Sequence, residues 1–365
     1  MNWKLVPAVT KLHCLWNELA IMSVTPDPDT VKPVVDGMKA LVLGFSVVGD
    51  KDGFVEKARL MRGPSDSFDL RKIGFGGSQI DKIKYLIPEV SARFPSDLII
   101  LEIATGQHRF SDGNGPKWYE HQLDQIITHY LRIGISVAIM DLPRRDITMD
   151  ADPIYSAHKN LSLRRGIPYL RIPLNEAFLR DDVHTNEPGT NFYARELLRF
   201  VRSVEADWQS GNPVATPASA PFHDAVRLSS LGHPDIEFNS FCRAGYEVEV
   251  ALLRPQSQLE IDLGGECTVV GLSCIVGPTS GKIAVSSPTK EITFQVYNRN
   301  AYYSFFSLFT FEGLQGPVTL RQLPDLPEIE LLKGLANKGP REGKIGHLLI
   351  ERRTARPFPG KKDRP

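Results

Sequence analysis

The sequence predicts an α/β fold, a doubly wound three-layer α/β/α domain in the first half, followed by an antiparallel β-sandwich of the jelly-roll kind. Three observations carry this expectation. Residues 40–203 alternate short, near-continuous apolar runs with segments of helical spacing. A stretch rich in Pro, Ala, Ser and Gly (QSGNPVATPASAP) spans 209–221. Beyond it the helical periodicity nearly disappears, and short runs separated by Gly or Pro take its place. Near-continuous apolar runs suit a parallel sheet covered by helices on both faces. Alternating strands and helices imply right-handed βαβ units. About eight short strands at this spacing suit a sandwich.

The elements follow in order. Residues 40–44 read as a first strand and 68–73 as a second, less apolar and suited to a sheet edge. Residues 97–103 (DLIILEI), 135–142 (ISVAIMDL) and 167–173 supply three more. Between them, Ser78 is placed to cap a helix carrying Ile80, Ile83, Leu86 and Ile87 on one face. Pro116 suits the first turn of a helix over 118–131. Residues 154–165 and 191–204 give two further helices. In the second half, strands are expected at 246–253, 259–263, 268–276, 282–286, 292–297, 303–311, 318–323 and 345–352.

The expected organisation is an extension over 1–39, an α/β domain over 40–208, a linker over 209–221, a sandwich over 222–355 and a basic tail over 356–365. With 42% apolar residues, the 365-residue chain can build real cores. Its 43 basic and 43 acidic residues balance, which gives no reason to expect a nucleic-acid partner. Four cysteines (Cys14, Cys242, Cys267 and Cys274) lack metal-ligand spacing, and no disulfide framework or metal site is expected. No apolar run reaches membrane-spanning length, and the N-terminus has no clean signal-peptide core, so a cytoplasmic location is the default expectation.

Candidate chemistry gathers at three places. Ser46 follows the first strand, between Gly44 and Gly49. A residue just past the carboxyl end of a parallel strand lies on the rim where open α/β sheets bind ligands. An ordinary turn serine would look the same. Asp181 precedes His184 by three residues, so one turn of backbone can bring a carboxylate to an imidazole. A serine hydroxyl needs such a base, and the base needs a carboxylate to fix its tautomer. A surface Asp beside a capping His is the plain alternative, and Asp182 is expected to face solvent. Gly74-Phe75-Gly76-Gly77-Ser78 joins the second strand to a helix. It reads as backbone donors for an anionic oxygen or as a tight turn.

These blocks, in this order, resemble the SGNH (GDSL-like) hydrolase family over roughly residues 40–203. The match rests on Gly44-Phe45-Ser46, on Gly77, and on Asp181, His184, Asn186 and Gly189 followed by a helix containing Ala194. Phe45 stands where the family carries Asp. The resemblance implies five parallel strands in flavodoxin-like order and a Ser46–His184–Asp181 triad. It also implies an oxyanion hole from the amides of Ser46 and Gly77. The family's third block, Gly-x-Asn, departs here to Ala104-Thr105-Gly106, with Gln107 one residue on. Gln107 is the expected replacement donor, with His108 the second candidate. Restoring the amide by Gly106→Asn is expected to raise turnover. Phe45, Gly106, His108 and Trp118 are expected to flank the substrate.

The function expected from this resemblance is ester hydrolysis through an acyl-enzyme, on an O-acyl carbohydrate or lipid, with no cofactor. The competing expectation is a weak or inactive relative that binds saccharides, through its cleft or through the sandwich. Arg144 and Arg145, after the fourth strand, suit either an anionic substrate or solvent.

Overall fold

The computed structural model describes residues 37–107, 115–209, 223–255, 257–265, 267–325, 329–334 and 339–352. The proposed extension up to residue 36, most of the linker, the basic tail and His108 lie outside the described residues.

The first half is built from β1 (Met38–Gly44), α1 (Ser46–Gly49), α2 (Phe54–Met61), β2 (Phe68–Gly74), α3 (Ile80–Ile83), α4 (Ile87–Arg93), β3 (Leu98–Glu102), α5 (Pro116–Arg132), β4 (Ser136–Asp141), α6 (Pro153–Arg165), β5 (Tyr169–Arg171) and α7 (Glu187–Gln209). The five strands are parallel in the order β2-β1-β3-β4-β5. That is the flavodoxin-like order, with its switch point between β1 and β3. β2 is an edge strand, as its mixed composition suggested.

Alternate residues of the central strands feed two cores. Leu41, Leu43, Ile99, Leu101, Val137 and Ile139 join the core under α3 to α6. Ala40, Val42, Leu98, Ile100, Ala138 and Met140 join the core under α2 and α7. The sequence reading missed α2. Only Phe54, Val55 and Ala58 of this helix are buried, a stripe too narrow to stand out in eight residues.

The second half contains β6 (His223–Arg227), β7 (Phe238–Arg243), β8 (Tyr246–Leu253), β9 (Gln258–Ile261), β10 (Cys267–Val276), β11 (Lys282–Ser286), β12 (Glu291–Gln295), β13 (Phe305–Gln315), β14 (Val318–Gln322) and β15 (Gly343–Arg352). They form a six-stranded sheet, β13-β10-β15-β8-β7 with β6 beside β15, and a four-stranded sheet, β12-β11-β14-β9. Every expected strand is present. β6 and β7 are additions, short and largely polar.

The expectation of a separately packed sandwich needs correction. Residues from Met38 onward form one compact unit. Tyr246, Val248, Val250, Val270, Ile275, Phe306, Leu308 and Leu349 of the six-stranded sheet belong to the same core as α4 and α5. The opposite face of that sheet packs against the four-stranded sheet through Val269, Leu272, Cys274, Leu348 and Ile350. A sheet covered on both faces needs unbroken apolar strands, and β10 (CTVVGLSCIV) is one. Cys267 and Cys274 are core thiols within it.

The seam between the halves holds a buried polar cluster. Glu89 of α4 receives Arg227 of β6 and the Tyr246 hydroxyl at 2.9 Å. Nε2 of His347 approaches its other oxygen to 2.5 Å, and Nδ1 of His347 lies 2.7 Å from the Ser273 hydroxyl. Burial alone would raise the Glu89 pKa. His347 and Arg227 outweigh it and hold the carboxyl well below the usual carboxylate range. Among the described residues, no helix is long and apolar enough to cross a membrane.

His223 of β6 packs edge-on against Tyr85 at the same seam, 5.1 Å between ring centroids. Burial, helped by Lys84 and His121, pushes its pKa down from 6.5 to about 4. The folded state therefore refuses a proton that the unfolded chain accepts, and stability is lost as pH falls from 6.5 through about 4. His223→Phe keeps the ring packing and removes the titration. Its melting temperature should decline less than that of the wild type between those pH values. Parallel declines in thermal scans would contradict this assignment.

Candidate active site

Gly44 ends β1 opposite Gly74 of β2 and Glu102 of β3, so three strand ends meet at one point of the rim. No side chain fits at Gly44, where a Cβ would lie 2.2 Å from the Glu102 carbonyl and 2.5 Å from Val48. The chain then turns into α1, closed by the Gly49 amide donating to the Phe45 carbonyl at 2.9 Å. Ser46 is the first residue of that turn and is partly exposed. Phe45 points inward and is fully buried, so the expectation that its ring flanks substrate is corrected.

The loop after β2 lies over Ser46. The Phe75 amide donates to the Gly44 carbonyl at 2.8 Å, and the Ser78 amide closes a turn onto the Phe75 carbonyl at 3.1 Å. Gly77, at φ +76°, occupies the left-handed position that such a turn assigns to glycine. A Cβ on Gly76 would come within 3.7 Å of both Cα and Cβ of Ser46. Among the described residues, the amides of Gly76 and Gly77 have no hydrogen-bond partner. They are free donors beside the serine.

Ser78 does not cap the helix, contrary to the expectation from sequence. Its hydroxyl is buried without a partner, and α3 begins later, at Ile80. The Ile80 amide instead donates to Oε1 of Gln107, at 3.0 Å. Gln107 is 5% exposed, so it closes the start of this helix from another loop. Gly106 lies against Phe45. A Cβ there would sit 2.6 Å from both Cβ and Cδ2 of the Phe45 ring side chain. Phe45 therefore fills the space that the side chain of Gly106→Asn needs, which argues against the gain expected from that variant. Trp118, in the first turn of α5, is partly buried and packs against the first core.

Asp181 and His184 meet on the loop between β5 and α7. Nδ1 of His184 lies 3.0 and 3.1 Å from the two Asp181 oxygens. The same carboxylate accepts from the amides of Val183 at 3.0 Å and His184 at 2.7 Å. Burial pulls its pKa up, but those two amides and the His184 ring outweigh burial, and the net shift is downward. Asp181 thus stays ionised where an imidazole is neutral. Asp182 is exposed, and its carbonyl accepts from the Arg145 amide at 2.9 Å. Asn186 fixes the following helix. Its Oδ1 accepts from the Gly189 amide at 3.0 Å, and a Cβ on Gly189 would strike the Phe178 carbonyl at 2.1 Å.

Arginines tie these loops together. Arg180 pairs with Asp50, the residue after α1, at 2.8 Å, and so links the His184 loop to the Ser46 turn. Arg145 donates to the Leu179 carbonyl at 3.0 Å, and Arg144 to the Thr105 carbonyl at 2.5 Å while pairing with Asp146 at 2.8 Å. Arg144 is thus already paired with a carboxylate, and Arg145 is engaged with loop carbonyls. Among the described residues, the Ser46 hydroxyl and Nε2 of His184 have no hydrogen-bond partner. The Ser46–His184 contact that the resemblance implies is thus not among the hydrogen bonds of the described residues.

No protein-family model and no curated protein matches the sequence. Solved structures do. An acetyl xylan esterase is 18% identical, over 45% of this chain and 100% of that one, with a TM-score of 0.39. A catalytic mutant of an acetylxylan esterase from Geobacillus stearothermophilus is 16% identical, over 46% and 94%, with a TM-score of 0.38. A lipolytic protein of the G-D-S-L family from Desulfitobacterium hafniense is 10% identical, over 45% and 99%, with a TM-score of 0.36. The fold stands on the strand order itself.

The packing of Gly106 gives a direct test. Gly106→Asn should overpack the site and destabilise by about 1–3 kcal/mol. Phe45→Ala should destabilise as a lost core side chain, by about 3–5 kcal/mol. Because the two groups compete for one space, the double variant should lose clearly less than the sum in denaturant titrations. Additive losses would show that the two positions do not share that space.

Proposed function

We propose that the chain is a serine esterase of the SGNH type. Ser46 attacks the ester carbonyl while Nε2 of His184 takes the hydroxyl proton. Asp181 holds Nδ1–H of His184 and stabilises the imidazolium. The amides of Ser46 and Gly77 receive the oxyanion, with Gly76 beside them. Collapse of the tetrahedral intermediate expels the alcohol, protonated by His184, and leaves an acyl-enzyme. Water, activated by the same imidazole, releases the acid and restores Ser46.

The observation that carries this reading is the Asp181–His184 pair. Its carboxylate takes the Nδ1 side of the ring, at 3.0 Å, which leaves Nε2 as the basic nitrogen. The Arg180–Asp50 tether supports bringing that nitrogen to the serine. The rim is open, with Gly77 exposed and the His184 side chain 25% exposed. An open rim suits a small acyl group on a bulky alcohol, and we read the substrate as an O-acyl carbohydrate or lipid.

One observation favours the alternative of a weak enzyme or a saccharide-binding relative. Gly106 supplies no side-chain donor, and Gln107, the replacement expected from sequence, is 5% exposed with its side-chain carbonyl accepting from the Ile80 amide. Loss of one oxyanion donor costs about 10²–10³ in rate. A slow hydrolase with a two-amide oxyanion hole reconciles both facts.

Purified protein should hydrolyse p-nitrophenyl acetate, and a fluorophosphonate probe should label Ser46, read by peptide mass spectrometry. Ser46→Ala and His184→Gln should each lower kcat by about 10³-fold or more. Asp181→Asn should cost on the order of 10²-fold or more, and Asp182→Asn should leave the rate within about twofold. The rate should rise from acid to neutral pH and then level, because only the neutral imidazole accepts a proton. Turnover by Ser46→Ala equal to wild type would overturn the reading.

A further inference from the structure

The hairpin between β7 and β8 reaches out of the six-stranded sheet to the rim of the parallel sheet. Arg243 pairs with Tyr246, so Ala244 and Gly245 form a two-residue turn. Both have positive φ, +52° and +82°, the geometry of the hairpin turns that follow strand twist. Glycine is at home there, but alanine in the left-handed region carries a steric cost. Strain of this kind persists only where surrounding contacts impose it.

Those contacts lead to the serine turn. The Ala244 carbonyl accepts from the Gly74 amide at 3.0 Å, at the end of the edge strand β2. A Cβ on Gly74 would lie 2.2 Å from Gly49 Cα, and one on Gly49 would lie 3.3 Å from the Ala244 methyl. Gly49 is the last residue of α1, whose first residue is Ser46. Gly245 lies so close to β2 that a Cβ would sit 2.1 Å from the Lys72 carbonyl. Lys72 in turn donates to the Asp50 carbonyl at 2.5 Å. The hairpin is itself held by Arg243, which donates to the Ser304 carbonyl at 2.5 Å and lies over the Tyr303 ring at 4.7 Å. Tyr246, the next residue, packs edge-on against Phe75, 5.0 Å between centroids, just before Gly76 and Gly77.

We infer that the Ala244–Gly245 turn of the sandwich is a positioning element for Ser46, so that the two halves of the chain form one catalytic unit. The turn touches no substrate. It fixes Gly74 and Gly49 from below, and through them the height and direction of the α1 turn relative to His184 and the Gly76–Gly77 amides. The inference rests on the esterase reading for its effect on rate, but not for the contact itself.

Two variants of the full chain test it. Gly245→Ala places a methyl against the Lys72 carbonyl and should lift the turn. Arg243→Ala, at an exposed position, loosens the hairpin without a clash. A displacement near 1 Å at a reacting group can cost about 10²-fold. Gly245→Ala should therefore lower kcat and the fluorophosphonate labelling rate of Ser46 by roughly tenfold or more, with KM little changed and a wild-type circular dichroism spectrum. Arg243→Ala should do the same to a smaller extent, and it decides the matter alone if Gly245→Ala does not fold. Hydrogen exchange of the peptide over residues 45–50 supplies a readout independent of catalysis, and should quicken in both variants. Wild-type labelling and wild-type exchange in a folded variant would overturn the inference. Absence of Ser46 labelling in the wild type would defeat the esterase reading, and exchange alone would then judge the clamp.

Discussion

The charge of Glu89 is the constraint on which the arrangement of the two halves depends. A carboxylate taken out of water is costly unless every oxygen finds a partner. Glu89 sits on α4, and besides Arg93 of its own helix it meets residues from three strands of the other half: Arg227 on β6, Tyr246 on β8 and His347 on β15. Removing one partner from such a buried pair costs about 3–5 kcal/mol, because a charge is left stranded. An apolar seam would tolerate a shift of register or a tilt. A largely buried carboxylate held by Arg227 and the Tyr246 hydroxyl, with the His347 ring beside it, tolerates neither, so it fixes how the six-stranded sheet lies on α4 and α5. The position of Tyr246 follows from it, and Tyr246 carries the hairpin that meets β2 and the ring that meets Phe75.

The rim of the parallel sheet shows a second dependence, between residues far apart in sequence. Phe45 and Gly106 fill one volume, as do Gly49 and Gly74. Where the resembled family pairs a polar residue before the serine with an asparagine in the third block, this chain pairs a buried phenylalanine with a glycine. The two departures are one packing decision. A ring turned into the core leaves no room for a side chain at 106. The third block then serves the loop over Ser46 by other means, through the Gln79 side chain donating to the Gly106 carbonyl at 3.0 Å and through the Gln107 carbonyl on Ile80.

What was legible in the sequence is what local spacing encodes. Buried parallel strands announce themselves as apolar runs, and the order of the sheet follows from the family pattern laid over them. Asp181 and His184 are three residues apart, so backbone geometry alone brings them together. The less legible parts depend on contacts that spacing cannot carry. Gln107 reaches Ile80 across 27 residues, and Arg180 reaches Asp50 across 130. Ser78 looked like a cap because its residue type suits one, but the amide it would have satisfied already had a partner from another loop. β7 (FNSFCR) was missed because an outer strand beside β8 needs no apolar period. The sandwich looked separate because the linker is so clear. Its two-sided burial is written only in the unbroken apolar run of β10.

Arginine explains why so open a rim can still be precise. Loops at the end of a sheet are the least constrained part of an α/β fold, yet the proposed acyl transfer needs a serine, an imidazole and two amides held to within a fraction of an ångström. Exposed ion pairs contribute little to stability. Their geometry is another matter. A planar guanidinium offers several donors at fixed angles and can bind two loop segments at once. Arg144 joins the third block to the segment after β4, Arg145 joins that segment to the His184 loop, and Arg180 joins the His184 loop to the end of α1. The three form a chain around the rim whose links are loop carbonyls and one carboxylate. The hairpin of the sandwich closes it on the remaining side, at Gly74. A site assembled from four loops is thereby held at every loop, by contacts that a reading of Arg144 and Arg145 as substrate ligands would have assigned to something else.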